Sequence, residues 1–149
     1  MIRLRTGIYC GVLAAWLGLG ASSMAQTTPT ISAMKTTLSG ASEVPPVTSN
    51  ASGSVEATFN TQTNVLTWTV SYSGLSGPAT AAHFHGPAMP GQNAGVAVPI
   101  SGNLASPITG TAPLTAAQAA DLMAGKWYVN VHTAANANGE IRGQIIVQP

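Results

Sequence analysis

The side chains best suited to chemistry in this sequence are three histidines, His83, His85 and His132. Two of them form His-Phe-His within the segment AAHFHGPA, residues 81–88. In an extended strand, residues i and i+2 project from the same face. His83 and His85 therefore point one way and Ala82 and Phe84 the other, with the two histidine Cα atoms ~6.5 Å apart. The third histidine lies in KWYVNVHT, residues 126–133, where Trp127, Val129 and Val131 make an apolar side and Tyr128, Asn130 and His132 a polar one. If the two strands pair or face each other, three imidazoles meet. Such a nitrogen set suits copper first and zinc second, since imidazole is a good ligand for both. The same residues also admit a plain structural reading, with hydrogen-bonded histidines supporting a turn and no ion. Spacing alone leaves both open.

Other residues are candidates for supporting roles. Met89 follows His85 by four residues in the loop HGPAMPG, and its thioether would favour Cu(I); a loop methionine without a role is the simpler reading. Tyr128 and Asn130 share the side of His132 and are placed to orient it. Glu140 and Arg142 alternate with Ile141, Ile145 and Val147 on the last strand, as a cross-strand pair or as support behind a histidine. No residue is assigned a catalytic role. Cys10 is the only cysteine, no serine sits in a nucleophile elbow, and no glycine-rich phosphate loop precedes a helix.

The elements that must carry these side chains are strands. Val55, Ala57 and Phe59 alternate with polar neighbours, as do Leu66, Trp68, Val70 and Tyr72, and Asn60–Asn64 between them reads as a hairpin loop. Further strands are expected near 36–41, 80–86, 95–101, 107–113, 126–133 and 140–148, punctuated by Pro and Gly. Residues 115–124 are the exception. Thr115 with Gln118 three residues later makes a capping box, and Gly125 is a stop, so one short helix is expected there. Short strands at this spacing predict an all-β fold, a two-sheet antiparallel β-sandwich of immunoglobulin-like or superoxide-dismutase-like kind.

The N-terminus reads as a signal peptide over residues 1–25. Arg3 and Arg5 precede an apolar run from Gly7 to Gly20, and Ser23-Met24-Ala25 offers the cleavage site. The run is short of the ~20 residues of a spanning helix, so no membrane span is expected after cleavage. Residues 26–33 are expected as a flexible leader and 34–149 as the domain. Cleavage removes Cys10, so no disulfide is available, and leaves Lys35, Lys126 and Arg142 against Glu43, Glu56, Asp121 and Glu140. Charged residues are only 6% of the chain and the net charge is +1, which gives no basis for a nucleic-acid partner. The expected location is secreted or periplasmic.

Three stretches carry a family resemblance: LSGASEVPPVTSNASGSVEATFN, AAHFHGPA and GKWYVNVHTAANANGEIRGQI. Together they resemble the CHRD domain found in chordin and in many bacterial exported proteins, over about residues 36–147. WYVNVHT followed by GEIRGQ is the specific part. The resemblance implies an extracellular β-sandwich and leaves the biochemical role open. The histidine arrangement is also similar, more distantly, to the copper site of the Cu,Zn superoxide dismutases. That similarity implies His83 and His85 as paired ligands and His132 as the late one. There is no fourth histidine to bridge two metals, no zinc cluster and no disulfide, so at most a mononuclear copper site is implied. Three readings follow: a secreted protein binding one copper for storage or delivery, an extracellular structural or interaction module with a protein partner and no metal, and, ranked last, a dismutase-like redox enzyme.

Overall fold

The computed structural model describes residues 30–149. The expected signal peptide and residues 26–29 of the expected leader lie outside the described residues. Eight strands and one helix follow in order: β1 (Ile31–Ser39), β2 (Ser52–Asn60), β3 (Val65–Ser73), β4 (Ala79–His85), β5 (Val96–Ile100), β6 (Ile108–Pro113), α1 (Ala116–Met123), β7 (Trp127–Thr133) and β8 (Ile141–Ile145). β1 starts earlier than the sequence suggests. Ile31, Ser32 and Ala33 pair with Asn60, Phe59 and Thr58, so the end of the expected leader is held in the sheet by backbone ladder bonds.

Alternation explains the best-defined hairpin. In β2 and β3 the pairs Val55–Val70, Ala57–Trp68 and Phe59–Leu66 are all buried, while Glu56–Thr69 and Thr58–Thr67 lie on the other side. Asn60 Oδ1 accepts from the backbone N–H groups of Gln62 and Thr63, and Asn64 takes the left-handed conformation (φ 55°) that asparagine tolerates. The helix α1 forms as expected. Thr115 and Gln118 close a reciprocal capping box, Gly125 (φ 70°) follows the last turn, and Ala119 and Leu122 are the residues it buries.

All strands pair antiparallel, in the order β5-β4-β7-β8-β1-β2-β3-β6. The expected sandwich is formed, and its two layers are one continuous sheet folded over. β5-β4-β7-β8 faces β1-β2-β3-β6, and the layers connect where Ser39 meets Arg142 and Met34 meets Val147. Between them Trp68 of β3 stands edge-on to Phe84 of β4, ring centres 5.1 Å apart, with Trp127 of β7 beside Phe84. Gly110 is required on β6 because any Cβ there would collide with the Trp68 indole. The two outermost strands each carry a proline, Pro99 in β5 and Pro113 at the end of β6.

β7 departs from the alternating pattern. All seven of its residues are buried, including Tyr128, Asn130 and His132 on the side expected to meet solvent. The strand lies between β4 and β8, and loops 86–95 and 134–140 fold over its outer face. That cover makes an interior for polar side chains.

Candidate metal centre

β4 and β7 position the histidines. Their antiparallel register sets His83 opposite Asn130, His85 opposite Tyr128 and His132 opposite Ala81. Ala82 and Phe84 point into the core, both fully buried, so the two histidines of β4 face outward as the i, i+2 spacing requires. His132 projects from the same outer face of β7, two residues beyond Asn130. The three rings come together. His83 Nδ1 lies 3.1 Å from His132 Nε2, and one ring nitrogen from each histidine lies within 4.8 Å of those of the other two. Donors 2.0–2.1 Å from a shared ion sit about 3–3.4 Å apart. The His83–His132 pair already has that spacing, and the third ring needs to close by at most about 1.5 Å.

Two of the three rings, His132 and His85, are held from behind. His132 Nδ1 is 3.0 Å from the Ala137 carbonyl, which accepts its N–H and so leaves Nε2 with a lone pair facing the cluster. His85 Nδ1 is 3.0 Å from the Ala94 carbonyl, and its Nε2 is 3.1 Å from Asn130 Oδ1. Tyr128 stacks flat on His85, centres 4.8 Å apart and planes 5° apart. The Arg142 guanidinium covers the far face of Tyr128 at 3.3 Å. Arg142 donates to Asn93 Oδ1 and to the Gln92 carbonyl, which fixes the loop presenting Ala94 to His85. Asn93 in turn donates to the Val44 carbonyl, tying in the loop after β1.

The electrostatics favour the neutral form of the two β4 rings. Burial lowers the pKa of His83, and the neighbouring His132 and His85 lower it further. Burial also lowers that of His85, against the opposing hydrogen bonds from Ala94 and Asn130. A neutral imidazole is the form that binds a metal. His83 is the more accessible of the β4 pair, while His85 and His132 are 9% and 8% exposed.

Among the supporting residues, Tyr128 and Asn130 touch His85, and Arg142 acts through Tyr128 and the loop 86–95. Glu140 does neither. It forms no ion pair with Arg142, because its carboxylate is taken by Ser49 Oγ, the Ser76 backbone N–H, Ser76 Oγ and Thr133 Oγ1 at 2.6–2.9 Å. Met89 lies exposed (52%) in the loop after β4, its backbone held by Gln92. Sequence reasoning missed Glu43. It is 5% exposed, its Oε1 is buried without a hydrogen-bond partner, and it lies beside Asn130 and Arg142. Burial pushes its carboxyl up to about 7 despite those two neighbours. The signal that pointed to it was scarcity: it is one of four carboxylates in the whole chain, next to Val44-Pro45-Pro46.

An all-β sandwich with a partly buried three-imidazole cluster on one outer face is the class of molecule these features define. The sequence profile of the CHRD domain matches residues 34–145, and the chain belongs to the CHRD domain family. No curated protein and no solved structure matches it significantly. Among the described residues, no helix is long and apolar enough to cross a membrane.

Proposed function

We propose that this chain is an exported CHRD-domain protein whose His83, His85 and His132 bind one metal ion, copper in preference to zinc, for storage or delivery outside the cytoplasm. The observation that carries the reading is the approach of three buried or half-buried imidazoles from two paired strands, with one nitrogen pair already 3.1 Å apart. The donor set fits the ion: three imidazole nitrogens, two with the remaining ring nitrogen against a backbone carbonyl. Copper is cargo in this reading, and His83 is the ligand most accessible to a partner. Export rests on the N-terminal segment, with cleavage after Ala25 expected in the mass of the mature protein.

The purified protein is expected to take up one equivalent of copper, and His85→Ala to abolish that uptake. Unchanged copper content in the variant removes the proposal. Binding should weaken as acid protonates the rings. Because burial lowers the pKa of His83 and His85, release should require a pH below the ordinary imidazole range.

A second reading has an observation of its own. The same 3.1 Å contact between His83 and His132 is a good hydrogen bond in a protein that holds no metal. In that reading the domain is a scaffold for an extracellular partner. It predicts full folding and no stoichiometric copper. A dismutase-like activity ranks third, and superoxide-independent behaviour of the copper-loaded protein would remove it.

A further inference from the structure

The hydrogen-bond accounting around His85 does not close. A neutral imidazole has one N–H and one lone pair. His85 has an oxygen against each nitrogen: the Ala94 carbonyl at Nδ1, 3.0 Å away, and Asn130 Oδ1 at Nε2, 3.1 Å away. The Ala94 carbonyl is backbone and accepts only, so the ring proton belongs on Nδ1. Nε2 then presents its lone pair to an amide oxygen. Turning the Asn130 amide over would relieve this, but the surroundings oppose it. Asn130 Nδ2 lies 3.4 Å from the Asn138 carbonyl and faces the Glu43 carboxyl. Reversal would set the amide oxygen against the Asn138 carbonyl and, once Glu43 is ionised, against its carboxylate. The packing is close: Gly139 (φ 126°) backs the pair, and any Cβ there would strike Glu43 Oε1 and Asn130 Nδ2.

Two lone pairs held 3.1 Å apart have the spacing of two donors on one cation. Asn130 is also central to the cluster, directly across from His83 and two residues from His132 on one face. We propose that Asn130 Oδ1 is the fourth donor of the metal site, giving three imidazole nitrogens and one amide oxygen, and that Glu43 is the positioning residue that keeps the amide turned toward the ion. This rests on the metal-binding reading above and narrows it. An amide oxygen is a harder ligand than a thioether or thiolate, so the set favours a divalent ion, Cu(II) or Zn(II), over Cu(I).

The test compares wild type, Asn130→Ala, Asn130→Asp, Glu43→Ala and Glu43→Gln. Calorimetric titration with Cu2+ and Zn2+, competition for Cu(I), and electron paramagnetic resonance of the Cu(II) form supply the readouts. Asn130→Ala should weaken Cu2+ and Zn2+ binding on the order of 10–100-fold and change the parallel hyperfine coupling, while leaving Cu(I) affinity nearly unchanged. Asn130→Asp keeps an oxygen in place; it should bind at least as tightly and show a third, distinct spectrum. Glu43→Ala should weaken binding, and Glu43→Gln, whose amide oxygen can face Asn130 Nδ2 in the same place, should restore it. If Asn130→Ala does not fold, the near-isosteric Asp variant decides alone. A wild-type spectrum and Kd in either Asn130 variant overturn the fourth donor and leave the three-histidine site standing. Failure of the wild type itself to bind either ion overturns both.

Discussion

Two glutamates are buried in this domain, Glu140 at 1% exposure and Glu43 at 5%, and their surroundings pull them in opposite directions. Burial alone would raise both carboxyls. At Glu140 four donors from Ser49, Ser76 and Thr133 outweigh it and hold the group down at about 2. At Glu43 burial prevails, one oxygen has no partner, and the carboxyl sits at about 7. The first region is a finished structural clasp that joins the loop before β2, the loop after β3 and the end of β7. The second lies against the histidine cluster, where polar groups are buried without being fully matched. Unmatched buried polarity costs stability and persists where something else requires it.

The sharpest way to break this contrast is Glu140→Ala, which strands three hydroxyl groups and a backbone N–H. It should lower the unfolding free energy by about 4 kcal/mol, read as a urea midpoint shift. A loss under about 1 kcal/mol would mean the clasp is incidental. The pH dependence separates the two carboxyls next. Glu140 has a folded pKa below its unfolded value, so its contribution is present above pH 4.5 and is lost as pH falls toward 2. Glu43 has the reverse sign. Between pH 4.5 and 7 the folded state holds the extra proton, so stability falls as pH rises through that window, by up to about 3 kcal/mol. Glu43→Gln should remove that slope and leave the variant more stable than wild type at pH 8. An unchanged slope would show that Glu43 is not the group responsible.

Arg142→Lys is expected to have a smaller effect. Lysine keeps the charge but cannot span Asn93 and Gln92 while covering Tyr128. A loss of about 2 kcal/mol is expected, together with faster amide hydrogen exchange confined to residues 86–95. Uniform exchange across the domain would contradict the proposed hold on that loop. Thr115→Ala, remote from both glutamates, calibrates the series. Loss of the capping box should cost about 1 kcal/mol and leave copper uptake as it was.

What the sequence made legible is what short-range patterning governs. The β2–β3 hairpin followed from alternation at Val55–Phe59 and Leu66–Tyr72, and α1 from Thr115, Gln118 and Gly125. The shared direction of His83 and His85 followed from strand geometry, and His132 joined them because β4 and β7 pair. The cover over β7 was not legible, because loops 86–95 and 134–140 are brought there by the fold and carry no periodic signal. For the same reason the sequence put Tyr128 and Asn130 on the side of His132 but left open whether they orient it or face solvent, and Glu43, far from the histidines in sequence, did not register. Glu140 and Arg142 have the spacing of a surface pair. Their actual partners, Ser76 and Asn93, lie 64 and 49 residues away.

The prolines on the two outermost strands bear on behaviour at high concentration. A folded-over sheet leaves two rims, and a rim with free amide groups recruits strands from other molecules. Pro99 on one rim and Pro113 on the other each lack the N–H that such recruitment needs. With 6% charged residues this chain has little mutual repulsion to keep copies apart, and these two rings supply part of what charge does elsewhere, blocking growth into fibrils.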